Sequence, residues 1–232
     1  MVQVVVLDFD GVIVDSNHLK REAFFSLFSP AEKTVSLIHG VLSRSGRKSR
    51  FEILREILRA QGESTGALEE RVAAYAERYN EKVQRGIAEI GVMAGVRESL
   101  GALSQAYRLY VNSGTYEPAL HESIAGLDIA PFFRAVYGGP AGKADILRKI
   151  MAAEKVAGRE TLVIGDGEED CQSSLECGCF FIGLANEFNG WLAESFPIVS
   201  GLSSAVSLIE SFSFDDFHGR GEGQNHRRRI DR

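Results

Sequence analysis

The chain has 232 residues, 44% of them hydrophobic and 25% charged, with a formal net charge of −6 at pH 7. This is globular composition, long enough for one large α/β domain or one carrying an inserted subdomain. The acidic balance gives no electrostatic reason to expect nucleic acid or an anionic membrane as partner, and no apolar run approaches the ~20 residues that span a bilayer.

Residues 2–8 read as a fully buried strand, too continuously apolar to alternate. The stretch VVVLDFDGVIVDS closes that strand with Asp8 and Asp10 and then turns at Gly11. Residues two apart in an extended strand share a face, so both carboxylates point one way and Phe9 the other. Two neighbouring carboxylates repel each other and invite a hard divalent cation. A turn or helix-capping aspartate accounts for one acid well but for both poorly. No basic region precedes the apolar run, and the run ends in acids, which is unlike a secretory signal.

From Asn17 to about Ile90 the texture changes to helical spacing, as in RFEILREILRAQG and LEERVAAYAERYNEKVQRGIAEI. Breaks fall at Ser29-Pro30, at 43–46 and at 62–66. An all-helical block between first and second strand is unusual for plain βαβ alternation, so residues 17–90 are expected to form an inserted helical cap. Strands and helices alternate again after Gly91. The strands are Leu109–Val111, Ala135–Tyr137, Thr161–Ile164, Phe180–Gly183 and Ile198-Val199, and the helices include VRESLGALSQAY and ADILRKIMAAEKV. Residues 1–16 and 91–212 are therefore expected to form an α/β core: a doubly wound, Rossmann-like, mostly parallel sheet. Residues 213–232 hold few apolar side chains and read as a disordered tail. Cys171, Cys177 and Cys179 match no zinc spacing and have no histidine nearby; free thiols suit a reducing, cytoplasmic setting.

Ligands of such sheets sit beyond the carboxyl ends of the strands. Four strand ends carry polar groups: Asp8 and Asp10; Ser113-Gly114-Thr115; GGPAGKADIL with Lys143 entering a helix; and Ile164-Gly165-Asp166-Gly167-Glu168-Glu169-Asp170. Singly, each has an ordinary explanation as a cap, a surface lysine or an acidic helix start. Together they converge on one rim.

This order resembles the haloacid dehalogenase superfamily, whose first motif is matched by Asp8-Phe9-Asp10-Gly11-Val12 with Asp15-Ser16 behind it. Its second is matched by Ser113, its third by Lys143, and its fourth by Gly165-Asp166 with Asp170. The helical block is similar to that superfamily's type 1 cap, and SGTYEPAL with VYGGPAGKADIL resembles a phosphoglycolate-phosphatase-like branch, with Tyr116 and Gly139 where that branch usually has proline and serine. The resemblance implies a Mg²⁺-dependent phosphatase acting on a small-molecule phosphomonoester, phosphoglycolate or a sugar phosphate. Asp8 would be the nucleophile and Asp10 the general acid and base, expected to hold a higher pKa than metal-bound Asp8. Asp8, Asp10 (through its carbonyl), Asp166 and Asp170 would bind metal, with Glu169 as an alternative acid. Ser113, Gly114 and Thr115 would hold phosphoryl oxygens, and Lys143 would neutralise charge. A phosphomutase on the same scaffold is the near alternative, and a non-catalytic binding protein a further one. A receiver-type signalling domain fits less well, having no cap and placing its acid on a middle strand. Substrate choice is expected from the cap, where Arg44, Arg47, Lys48 and Arg50 cluster; Arg47 and Arg50 are the candidate substrate contacts, although such a cluster can equally be a solvated turn. His18 is either a hinge or a substrate residue, and Phe24, Phe25, Tyr75 and Tyr79 read as cap core. The protein is expected to be a monomer or homodimer.

Overall fold

The computed structural model describes residues 1–44, 48–63, 66–191 and 195–211. The expected tail, 213–232, lies outside the described residues. Six strands form one parallel sheet: β1 (Val4–Leu7), β2 (Arg108–Tyr116), β3 (Ala135–Gly139), β4 (Thr161–Gly165), β5 (Phe180–Leu184) and β6 (Ile198–Val199). Their order is β3-β2-β1-β4-β5-β6. The chain leaves β1 for β2 on one side and later returns to β4 on the other. The carboxyl end of β1 is thus the topological switch point, where the crossovers diverge and leave a crevice.

Helices cover both faces of the sheet, which is why β1 is buried throughout. Val5 and Leu7 enter one core with α5 (Val96–Ala106), α6 (Glu117–Gly126) and α9 (Leu202–Ser211). Val4 and Val6 enter the other with Ile146, Leu147 and Ile150 of α7 (Lys143–Glu154) and Cys171 of α8 (Glu168–Glu176). The period-2 alternation of a strand therefore divides four consecutive aliphatics between two cores.

Between β1 and α5 lie α1 (Asn17–Ser26), α2 (Glu32–Leu42), α3 (Arg50–Ala60) and α4 (Leu68–Ile90). They pack on one another as an all-helical cap inserted after β1. Buried Leu68, Val72, Ala76, Tyr79, Val83 and Ile87 make a stripe down α4 at helical spacing. Gly91, at φ +70°, ends that helix. A capping box starts α3: Ser49 Oγ accepts from the Glu52 N–H, and the Glu52 carboxylate accepts from the Ser49 N–H.

Two elements differ from the sequence reading. Strand β2 does not stop near Val111 but runs through Ser113-Gly114-Thr115 to Tyr116, with a register shift against β3 between Asn112 and Tyr116. Helix α9 was not foreseen, because serines interrupt its short buried stripe of Leu202, Ala205 and Ile209. Among the described residues no helix is long and apolar enough to cross a membrane.

Ile164 is fully buried on β4, beside Leu7 of β1. Ile164→Ala should destabilise the fold by about 2–5 kcal/mol through lost burial and a residual cavity. Denaturant unfolding with an unchanged m-value would measure this, and a loss below about 0.5 kcal/mol would contradict the packing.

Candidate active site

The strand that carries the first acids ends where its backbone is still paired. The Asp8 N–H donates to the Ile164 carbonyl at 2.9 Å, while Asp8 Oδ1 accepts from the Phe9 N–H at 2.7 Å. Gly11 then turns the chain at φ +77°, and any Cβ there would run into the Asp166 carboxylate. Glycine is required twice over: for the left-handed backbone and for the close approach of β4's loop.

Asp8, Asp166 and Asp170 each present a carboxylate oxygen, all within 4.8 Å of one another. Lys143, the first residue of α7, is buried with them; its Nζ lies 2.9 Å from Asp8 Oδ2 and 2.6 Å from Asp170 Oδ1. Asn112 of β2 donates to the Lys143 carbonyl at 3.0 Å, fixing that helix start. Asp170 also accepts from the Gly167 N–H at 3.2 Å. Asp166 Oδ2 accepts from Asn17 Nδ2 at 3.1 Å and Asn186 Nδ2 at 2.7 Å. Asn189 Nδ2 ties the carbonyls of Asp166 (3.0 Å) and Leu184 (2.7 Å) together.

If all three acids ionised beside one ammonium, two negative charges would stand unbalanced in a largely buried site. Burial, then Asp170, push the Asp8 carboxyl up to about 7 despite Lys143. Burial, then Asp8, push Asp166 up to about 6. Burial also raises Asp170 against the pull of Lys143. For Lys143, burial favours the neutral amine, but Asp170 and Asp8 outweigh it and hold the ammonium.

Asp10 differs from the other acids. Its Oδ2 accepts from Thr115 Oγ1 at 2.7 Å and lies 3.4 Å from Ser113 Oγ and 2.5 Å from Lys20 Nζ. Its Oδ1 accepts from Ser16 Oγ. Burial works to raise Asp10, yet Lys20 and the Ser16 and Thr115 hydroxyls together hold it below its ordinary value. Without metal, Asp8 is therefore held high and Asp10 low: Asp8 lies desolvated among acids, whereas Asp10 has a cation of its own. The Asp10 carboxylate also stands apart from the three-acid cluster, leaving its main-chain carbonyl as what it could offer a metal.

Asp8, Asp10, Lys143 and Asp170 open into a cavity of about 750 Å³ between core and cap, with Gly114, Thr115 and Glu169 also on its wall. Ser113 is fully buried behind that wall, where its Oγ accepts from the Thr115 N–H at 3.1 Å. On the cap side Arg50 reaches the cavity, with Cζ 5.2, 6.0 and 5.1 Å from the ring centres of Phe51, Tyr79 and Tyr116. Its Nη1 donates to Asn80 Oδ1 at 3.3 Å, and its buried Nε has no hydrogen-bond partner. Arg44 and Lys48 both pair with Glu56 instead. Arg47 lies outside the described residues. His18 is largely exposed, 2.9 Å from Glu187 and edge-on to Phe188. Phe24 and Tyr79 pack ring to ring and also line the cavity.

Sequence reasoning missed Lys20, Asn186 and Asn189. Asn186 and Asn189 follow β5 directly, a fifth strand end on the same rim, and that position was their one signal. Lys20 had none beyond lying one helical turn past Ser16.

With the geometry in view, residues 5–184 match the family model for haloacid dehalogenase-like hydrolases. The chain belongs to that family. Its fold is similar to a haloacid dehalogenase-like hydrolase of Streptococcus pneumoniae, with 21% identity, a TM-score of 0.66, and 90% of this chain and 98% of the other covered. It is similar to YfnB of Bacillus subtilis, solved with magnesium bound, at 15% identity and TM-score 0.69 over 90% and 98% of the two chains. It is also similar to CbbY of Rhodobacter sphaeroides, solved with phosphate, at 16% identity and TM-score 0.67 over 88% and 96%. At these identities the likeness carries the fold alone. A search of curated protein sequences finds no match. The clustered acids fit the family's use of Mg²⁺: three carboxylates are hard oxygen donors, and their unbalanced double charge is what a divalent cation neutralises.

The pH dependence follows with a definite sign. Without metal, folded Asp8 and Asp166 keep protons up to about pH 7 and about pH 6, whereas the unfolded chain releases them near 3.8. The folded state binds more protons in that interval, so this site's contribution to stability falls as pH rises through it. A cation needs the acids ionised and works against the protons. The rise in Tm caused by millimolar Mg²⁺ should thus be larger near pH 7.5 than near pH 5, and Asp166→Asn should shrink it. Equal shifts at both pH values would remove these acids as ligands.

Proposed function

We propose that this member of the family is a Mg²⁺-dependent phosphatase that hydrolyses a small phosphorylated metabolite through an aspartyl-phosphate. The observation that carries the reading is the meeting of Asp8, Asp166 and Asp170 around Lys143, with Asp10 two residues from Asp8 on the same cavity.

Asp8, Asp166, Asp170 and the Asp10 carbonyl would hold Mg²⁺, which when bound supplies the positive charge that lets a phosphate dianion approach a carboxylate. Asp8 attacks phosphorus in line, the bond from phosphorus to the leaving oxygen breaks, and an acyl phosphate forms on Asp8. To act as acid Asp10 must first take up a proton against the pull of Lys20 and its hydroxyl partners; it then protonates the leaving oxygen and recovers a proton from the water that cleaves the acyl phosphate. Lys143, held by Asp170, neutralises charge on Asp8 and on the phosphoryl oxygens. The Gly114 N–H, beside Thr115 on the cavity wall and with Ser113 behind it, would donate to phosphoryl oxygens. A cation–carboxylate pair at Asp10, with Ser and Thr donors, supports phosphoryl transfer over attack on carbon, for which a second acid has no use.

The cavity suits a small metabolite, and Arg50 supplies a guanidinium without an acid partner on the cap side. It would read a second polar or anionic group at the far end of the substrate. CbbY has been solved with xylulose-1,5-bisphosphate, a ligand of that kind. Cys171, Cys177 and Cys179 form no disulfide among the described residues, in keeping with a cytoplasmic setting.

A panel of phosphomonoesters with Mg²⁺ tests the reading, scored for inorganic phosphate against isomerised sugar phosphate. Wild type should release phosphate, and Asp8→Asn should lower turnover by at least about 10³-fold with an unchanged fold. Wild-type-like turnover in Asp8→Asn would overturn the reading.

The cap contact has its own signature. Arg50→Ala should raise KM about 10-fold or more for a substrate with a second anion while leaving p-nitrophenyl phosphate nearly unaffected. Equal effects on both would remove Arg50 as the specificity contact.

A further inference from the structure

Lys20 is the cation that the phosphatase reading leaves unused. It stands on α1, in the cap, yet its ammonium reaches the core. Nζ lies 2.5 Å from Asp10 Oδ2 and donates to Thr115 Oγ1 at 2.6 Å. Its backbone is anchored from α4, where the Tyr79 hydroxyl donates to the Lys20 carbonyl at 3.2 Å. These contacts occupy two of the three N–H groups of the ammonium. The side chain remains 23% exposed and lines the cavity that holds Asp8 and Asp10. The third N–H is thus available to whatever lies beside Asp10.

What lies there follows from the direction of attack. A phosphoryl group engaged by Asp8 must expel its leaving oxygen on the side away from Asp8, where Asp10 can reach it. The other basic side chains on the cavity wall are committed or distant. Lys143 is shared by Asp8 and Asp170. Lys48 is 2.5 Å from Glu56, and Arg21 is 3.2 Å from His39. Arg50 lies among the rings of Phe51, Tyr79 and Tyr116.

Resting on the phosphatase reading, we propose that Lys20 is a catalytic residue for the leaving group. Its free N–H donates to the bridging oxygen of the bound phosphomonoester. As the bond from phosphorus to that oxygen breaks and the electron pair moves onto oxygen, the ammonium stabilises the charge that develops. Asp10, which must take up a proton before the step, delivers it to complete the alcohol, and Lys20 keeps its own. The contact is worth most when the transition state is charged at that oxygen, which is the condition for an electrostatic contribution to turnover.

The test uses single-turnover alcohol release with Mg²⁺, because this reports formation of the acyl phosphate alone. Lys20→Met is compared with wild type on aryl phosphates of graded phenol acidity and on the alkyl phosphomonoester that the wild type cleaves best. The loss should grow with leaving-group basicity, from under about 10-fold for p-nitrophenyl phosphate to about 10²-fold or more for the alkyl ester. Lys20→Arg, which keeps the charge, should recover part of the alkyl activity and serves if the methionine variant fails to fold. A loss uniform across the series, or none, would overturn the proposal, because a merely structural lysine would slow every substrate alike. Asp8→Asn separates the two levels: if inactive while Lys20→Met shows a flat series, only the role of Lys20 fails. If Asp8→Asn remains active, the phosphatase reading fails with it.

Discussion

An excess of buried negative charge at the end of β1 is the constraint around which the rest is arranged. Three carboxylates and one ammonium share a site that β1, α7 and the β4–α8 turn close off. An ionised acid in such surroundings is costly unless something compensates it. The fold compensates in part: Lys143 bridges two of the acids, Asn17 and Asn186 donate to the third, and Gly167 donates to Asp170. The compensation stops short of neutrality, and burial pushes Asp8 and Asp166 up to about 7 and about 6. A site whose own groups hold this much charge at the edge of ionisation is poised for a cation and for a reaction that moves negative charge.

The second organising contact joins cap to core. Asp10 belongs to the strand end, Thr115 to β2 and Lys20 to α1, yet the three meet at one oxygen. Asp8 shares its lysine with Asp170, whereas Asp10 is accompanied by a cap lysine of its own. The two aspartates of one sequence motif therefore occupy opposite electrostatic environments. Proximity in sequence puts them on one cavity, while their partners, 12 and 162 residues further from Asp8 in Lys20 and Asp170, set their charge states apart.

Legibility in the sequence follows the range of the interaction. The aliphatic run of β1, the helical stripe of α4 and the polar residues at four strand ends are local patterns, and the sheet, the cap and the convergence of acids followed from them; Asp8 and Asp10 themselves lie just past Leu7, where the strand ends. Lys20, Asn186 and Asn189 were missed because their roles depend on which loop lies over which strand end, and no spacing encodes that. Helix α9 was missed because three buried residues among serines make a faint stripe. The lowered pKa of Asp10 has no signal in the sequence for the same reason as Lys20 was missed: it is set by Lys20, a neighbour in space.

Two cations on one cap helix occupy opposite surroundings. Arg55 of α3 makes the bidentate pair expected of a surface guanidinium, 2.8 and 2.7 Å from the two oxygens of Glu69. Arg50, on the first turn of the same helix, faces the positive end of the helix dipole, which disfavours a cation. It is more deeply desolvated, and burial lowers its pKa against the influence of Tyr79 and Tyr116. It has aromatic faces and one amide oxygen where Arg55 has a carboxylate. A side chain kept in a poorer electrostatic position, with a buried N–H left without a partner, gains by the arrival of an anion. Under the proposed function, a substrate in the cavity that Arg50 and Asp8 both line would supply that anion.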